Sequence, residues 1–124
     1  LILANTNGDY KNEILILLKD LPSKNFLQIE FEPNIFTLYK LFDLFTHVPI
    51  RDTAEAFGQT YIECMASGTP LIATKSGIAN EILINKENSI IVDYQNSTEI
   101  YDAVELLIVF GEVGATLQVP APER

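Results

Sequence analysis

Five short apolar runs constrain this chain most: LILA (1–4), NFLQIEF (25–31), LFTHV (44–48), PLIAT (70–74) and SIIVD (89–93). Several are apolar throughout rather than alternating, the pattern of strands covered on both faces of a parallel sheet. Between them, Tyr10–Leu21, Ile35–Phe42, Phe57–Ser67 and Ile78–Ile84 carry helical spacing, and a last helix is expected over about Ser97–Phe110. In that helix Ile100, Ala103, Val104, Leu107 and Ile108 line one face, and Asn96 and Glu99 have the spacing of a capping pair. Gly68-Thr69-Pro70 closes one helix and opens the next strand. The alternation predicts an α/β fold: a doubly wound, Rossmann-like parallel sheet.

With 124 residues the chain is one domain or a piece of one. Residues 1–110 are read as that domain. The final segment, GEVGATLQVPAPER (111–124), lacks the Lys, Asn and Ile that are frequent before it, and its two prolines and two glycines forbid a regular helix. It reads as a disordered tail or as a segment foreign to the domain. A single cysteine, Cys64, excludes a disulfide scaffold and points to a reducing compartment. One Cys and one His cannot build a zinc site. Net charge of −9 argues against a nucleic-acid surface, so an anionic ligand would have to be met by local backbone donors. No apolar stretch approaches the roughly 18 residues of a membrane span, and the start lacks the marks of a signal peptide, so a cytoplasmic location is expected.

The chemistry concentrates in EAFGQTYIECMASGTP (55–70). A helix expected to begin over Ala56–Gln59 would present unpaired N–H groups and the positive end of its dipole, a cradle for phosphate. Gly58 lets a ligand approach the backbone closely. Glu55 and Glu63 stand eight positions apart. Eight residues of helix span at most about 12 Å and about 80° of rotation, so both carboxylates can face one groove. Carboxylates accept strongly from sugar hydroxyls. A nucleotide-sugar fits this arrangement, with hexose at Glu55, diphosphate at the helix start and ribose at Glu63. A random pair at this spacing is more often a solvated loop residue and an exposed helical one. Against that, Glu63 lies in an apolar run, YIECMA, where an unpaired charge would cost several kcal/mol to bury.

Elsewhere the sequence offers less. His47, at a strand's carboxyl end, is either a ligand-touching group or a packed strand-end histidine. Cys64 reads as a small core residue, as do the apolar positions of Ile14–Leu18. Tyr39 and Phe42 read as packing residues. Lys75 and Ser76 read as a solvated loop rather than as cleft lining.

EAFGQTYIECMASGTPLIAT resembles the E-x7-E segment of retaining GT-B-fold glycosyltransferases, the "group 1" or family-four class. Its usual form is EGFG, an apolar run, EAMA, and a G-x-P-V-V-A-T strand. SGIANEIL is similar to that family's GG-x-x-E stretch, ENSIIVD to its N-G-x-L-V turn and strand, IYDAVELLI to its final helix, and LYKLFDLFTHVPI to the elements before the motif. The resemblance covers about Leu1 to Ile108 and implies the C-terminal, donor-binding domain of a GT-B fold. It implies that Glu55, the catalytic position, orients the donor sugar. Ala56, Phe57, Gly58, Gln59 and Thr60 would meet sugar and diphosphate, and Glu63 would hold the ribose.

The implied reaction moves a sugar from a UDP- or GDP-sugar to an acceptor (a glycan, a lipid or a small molecule) with retained configuration and without a metal ion or other cofactor. Departures stand beside the matches. IEFEPN lacks a glycine expected after its strand, RDTA adds residues before Glu55, and Gln59 replaces a common Leu and can add a hydrogen bond to phosphate or sugar. By resemblance the chain starts at the second strand of its domain, without the strand that is central in the order 3-2-1-4-5-6. It also lacks the acceptor domain, through which any membrane association would come. The isolated chain is therefore expected to be catalytically silent. A nucleotide-sugar epimerase or phosphorylase on the same fold, or a truncated module acting by association, are the alternatives.

Overall fold

The computed structural model describes residues 1–109; the expected tail over 111–124 and the end of the last helix lie outside the described residues. The chain divides into two units, Leu1–Ile35 and a second beginning at Phe36. In the first, strands β1 (Ile2–Ala4) and β2 (Leu27–Ile29) pair in parallel, with Ile2 opposite Leu27. Helix α1 (Lys11–Leu18) connects them, followed by a short 3-10 turn at Ser23–Asn25. The expected core of Ile14–Leu18 is not what forms: Leu18 is buried, whereas Leu15, Ile16 and Leu17 are exposed. The run is apolar all round the helix, and one side of an eight-residue helix is all that two three-residue strands can cover.

The second unit holds a three-stranded parallel sheet in the order β3 (Phe45–His47), β4 (Leu71–Ala73), β5 (Ile90–Ile91). Helix α2 (Ile35–Tyr39) leads into it, α3 (Gln59–Ser67) and α4 (Ala79–Ile82) connect its strands, α5 (Ser97–Val109) follows the last, and α3 and α5 pack on it. Register puts Thr46 beside Ile72 and Ile72 beside Ile90. Side chains alternate across a strand, so Leu44, Val48, Ile72, Ile90 and Val92 share one face. There they pack with Ala103 and Leu107 of α5. Phe45, His47, Leu71 and Ala73 turn to the opposite face, where α3 packs on β3 and β4. Covered from both sides, all three residues of β4 are buried, which is why PLIAT is apolar at every strand position. Parallel sheets with flanking helices are the predicted α/β, Rossmann-like class.

Local signals act as read. Gly68 takes a left-handed conformation (φ 75°) to end α3, its N–H bonding the Met65 carbonyl at 3.1 Å. The Asn96 side chain accepts the Glu99 N–H at 3.1 Å, while the Glu99 carboxylate reaches to the Asp93 N–H at 2.7 Å. Among the described residues no helix is long and apolar enough to cross a membrane.

Candidate functional site

The site begins where α3 begins, and that is later than the sequence suggests. Ala56 and Phe57 belong to the exposed turn before the helix; Gly58 is its N-cap and Gln59 its first residue. The reason is conformational. Gly58 adopts φ 90°, a left-handed geometry open to glycine, and a helix cannot propagate back through it. The cap carries no side-chain acceptor, so the amides of Gln59 and Thr60 open the helix at a bare end. An added Cβ at Gly58 would meet the Tyr61 ring at 2.7 Å.

The loop carrying Glu55 is gripped by the turn that follows β4. The Glu55 N–H donates to Ser76 Oγ at 2.9 Å, and that hydroxyl donates to the Asp52 carbonyl at 2.9 Å. The Gly77 N–H donates to the same Asp52 carbonyl at 3.1 Å, and the Ile78 N–H to the Phe57 carbonyl at 2.7 Å. Ser76 is fully buried. It is therefore a structural clasp and not the solvated loop residue the sequence suggested; only Lys75 beside it is half-exposed. Gly77 passes so close that a Cβ there would stand 2.5 Å from the Phe57 carbonyl oxygen. Sequence reasoning missed both residues. The one available signal was the Ser-Gly turn after a strand.

Each glutamate has a partner. Glu55 Oε1 lies 3.1 Å from His47 Nε2, with side chains 34% and 23% exposed respectively. Glu63 is half-buried: its Oε1 accepts from the Gln59 amide at 2.9 Å and its Oε2 from the Tyr39 hydroxyl at 3.5 Å, the long limit of a hydrogen bond. This answers why a glutamate stands in YIECMA. Ile62 and Ala66 face outward, so Glu63 is not enclosed by its sequence neighbours; Gln59, one turn earlier, and Tyr39 receive it instead. One N–H of the Gln59 amide is thus engaged by Glu63.

A row of rings joins the two acids. Tyr39 meets Phe45 edge-on at 5.1 Å, Phe45 stacks on His47 at 6.3 Å, and His47 meets Tyr61 edge-on at 4.8 Å. Glu63 stands at the Tyr39 end and Glu55 at the His47 end. Tyr61 is fully buried, its hydroxyl donating to the Thr74 carbonyl at 3.0 Å. Burial, and then the Glu55 charge, push its phenol up to about 12. Burial and the Glu63 charge likewise hold the Tyr39 phenol far above the usual range, so both tyrosines act as donors. Cys64 is the core residue predicted, its thiol pushed up to about 12 by burial, hence unreactive.

Burial also lowers the His47 pKa below 6.5, while Glu55 opposes the shift. A histidine held neutral in the fold binds its proton more readily when unfolded. Stability is therefore complete above pH 6.5 and falls as pH drops below it, until the native pKa is passed. His47 is the single histidine. Between about pH 7.5 and 5.5 the urea midpoint should fall in the native sequence and fall measurably less in His47→Phe. Equal slopes for the two proteins would contradict the neutral, buried assignment.

A hollow of about 240 Å³ also lies in the first unit, lined by Thr6, Asn7, Lys11, Leu15, Gln28, Ile29 and Glu30. Within it Lys11 donates to Asn7 at 2.7 Å and Gln28 to Thr6 at 3.0 Å.

Known proteins share this architecture. The family model for glycosyl transferases group 1 matches residues 4–111. HepE of Anabaena, solved in complex with UDP-glucose, is 25% identical with a TM-score of 0.81 over 94% of this chain and 33% of that one. The C-terminal domain of a glycosyl transferase group 1 family protein (LpcC) from Francisella tularensis is 29% identical, with a TM-score of 0.73 over 88% of this chain and 56% of that one. A glycosyltransferase from Rickettsia africae shares the fold at 20% identity and a TM-score of 0.75, over 94% of this chain and 32% of that one. The chain thus spans about a third of the length of HepE. No curated protein matches it by sequence.

Proposed function

The chain belongs to the glycosyl transferases group 1 family, and on that premise we propose that it binds the donor, a UDP- or GDP-sugar, for transfer with retained anomeric configuration. The observation that carries this reading is the bare, glycine-capped start of α3 with a partnered carboxylate on either side. A UDP-glucose complex of HepE, at 25% identity, supports the choice of ligand class.

In this reading the diphosphate lies against Gly58, Gln59 and Thr60, where backbone donors and the helix dipole favour an anion. Glu63 accepts from the ribose hydroxyls and Glu55 from the sugar hydroxyls. Ala56 and Phe57 form the turn over which the hexose sits. When the bond between the anomeric carbon and the phosphate oxygen breaks, negative charge grows on the departing diphosphate, and the α3 amides stabilise it there. The acceptor hydroxyl bonds to the anomeric carbon on the same face and gives its proton to the departing diphosphate oxygen, which gains negative charge as its bond to that carbon breaks. No metal ion is assigned to the step, because the helix end and its amides meet the diphosphate. The acceptor and its binding surface belong to the whole protein.

Thermal shift with UDP, UDP-glucose, GDP and GDP-mannose tests the assignment. A ligand at about 100 times its Kd adds about 2.7 kcal/mol. Glu63→Ala should remove most of the shift from the preferred nucleotide. Glu55→Ala should keep that shift and lose the additional increment from the attached sugar. Identical shifts in the native chain and both variants would overturn the assignment.

A further inference from the structure

We propose that His47 is a positioning residue of the donor-sugar site, holding the Glu55 carboxylate in one orientation through its Nε2–H. The inference rests on the donor-sugar role given to Glu55 above. Its geometry stands independently of that role.

His47 ends β3 on the face that α3 covers, clamped between Phe45 at 6.3 Å and Tyr61 at 4.8 Å. Rings on two sides leave the imidazole little freedom to turn. Among the described residues its one polar partner is Glu55 Oε1, at 3.1 Å. Glu55 is thereby fixed at both ends: Ser76 holds its backbone N–H and His47 its side chain. A carboxylate offers about four lone-pair sites on two oxygens, and His47 occupies one, so the other oxygen keeps its acceptor capacity for sugar hydroxyls.

A neutral imidazole that donates from Nε2 must carry its proton there and leave Nδ1 bare. Among the described residues, the titratable groups in contact with the ring are Glu55 from the loop and Tyr61 from α3. Tyr61 keeps its proton across the working range, its phenol lying at about 12. Burial keeps the imidazole neutral, and Glu55 is the charge that opposes that shift. A glutamate with a loose side chain would give up rotamer freedom on each encounter with a sugar; one already held gives up less. The effect should therefore appear in affinity for the sugar and not for the nucleotide.

Two measurements on the 124-residue chain decide the matter. Nitrogen-15 NMR of the one imidazole should show the Nε2–H tautomer. Glu55→Gln should lower its pKa, because the carboxylate is what raises it. An Nδ1–H tautomer, or a pKa indifferent to Glu55→Gln, overturns the proposal, and this arm needs no ligand. Separately, His47→Phe should weaken UDP-glucose by about tenfold while changing UDP by less than about twofold. His47→Gln, whose amide donates at similar reach, should recover most of the loss. Equal losses for both ligands would mark His47 as merely structural and overturn the proposal, as would no loss at all. Failure of the native chain to bind any nucleotide would sink the donor reading, with the imidazole measurement still deciding whether His47 holds Glu55.

Discussion

Replacing Gly77 with alanine is expected to destabilise the second unit more than any other single-methyl change in it. The added carbon would stand 2.5 Å from the Phe57 carbonyl oxygen and 3.2 Å from that of Glu55, both backbone atoms that cannot swing aside. The backbone at Gly77 also sits at φ 55°, where a side chain costs roughly 1–2 kcal/mol. Forcing the two chains apart adds roughly 1–3 kcal/mol. A total on the order of 2–5 kcal/mol is a large fraction of the roughly 5–15 kcal/mol that holds a domain together. Urea denaturation measures it, with Gly8→Ala as the control, since a Cβ there meets nothing within 4 Å. A Gly77→Ala midpoint equivalent to less than about 0.5 kcal/mol of loss would show that the close crossing of the two turns is not obligatory. Because the displaced atoms belong to the Glu55–Phe57 backbone, any folded remainder should also bind the donor sugar poorly.

Tyr61→Ala should be comparably severe, costing about 3–5 kcal/mol, the range for deleting a large buried ring. The ring fills the space under Gly58, supports His47 edge-on and is fully enclosed. Tyr61→Phe separates the hydroxyl from the ring: it leaves the Thr74 carbonyl without its donor, an effect of about 1–3 kcal/mol. If Tyr61→Phe proved as damaging as Tyr61→Ala, the hydrogen bond rather than the packing would dominate, contrary to this ranking. Midpoints of urea unfolding for the two variants settle the order.

The sequence revealed what short-range physics controls. Runs such as PLIAT announced a strand buried on both faces because burial on both faces demands apolar residues at every position. Gly68 announced a helix end because a left-handed cap demands glycine. Strand limits came out wider than the hydrogen-bonded cores, as with NFLQIEF, of which Leu27–Ile29 pairs. The start of α3 was misread because helical spacing continues smoothly through Phe57, while the conformation of Gly58 breaks it. Ile14–Leu18 was misread because apolar content does not say which side a neighbour covers.

The candidate site was legible as a set of residue types, EAFGQ and a second glutamate. The partners of those glutamates were not. Tyr39 comes to Glu63 from another helix, and His47 to Glu55 from a strand. Ser76 and Gly77 reach the Glu55 loop from more than twenty positions downstream. No local pattern encodes such meetings.

The hold of Ser76, Gly77 and Ile78 on the loop from Asp52 to Phe57 has a consequence for how the protein comes into being. A growing polypeptide that has emerged only as far as Thr74 already contains every residue of the stretch from Glu55 to Glu63, yet nothing in it fixes the main chain at Glu55. Four further residues of synthesis, Lys75 to Ile78, supply the hydroxyl and the two amides that do. The backbone hold on Glu55 is thus completed by translation beyond the stretch that contains it, once the next turn has been made.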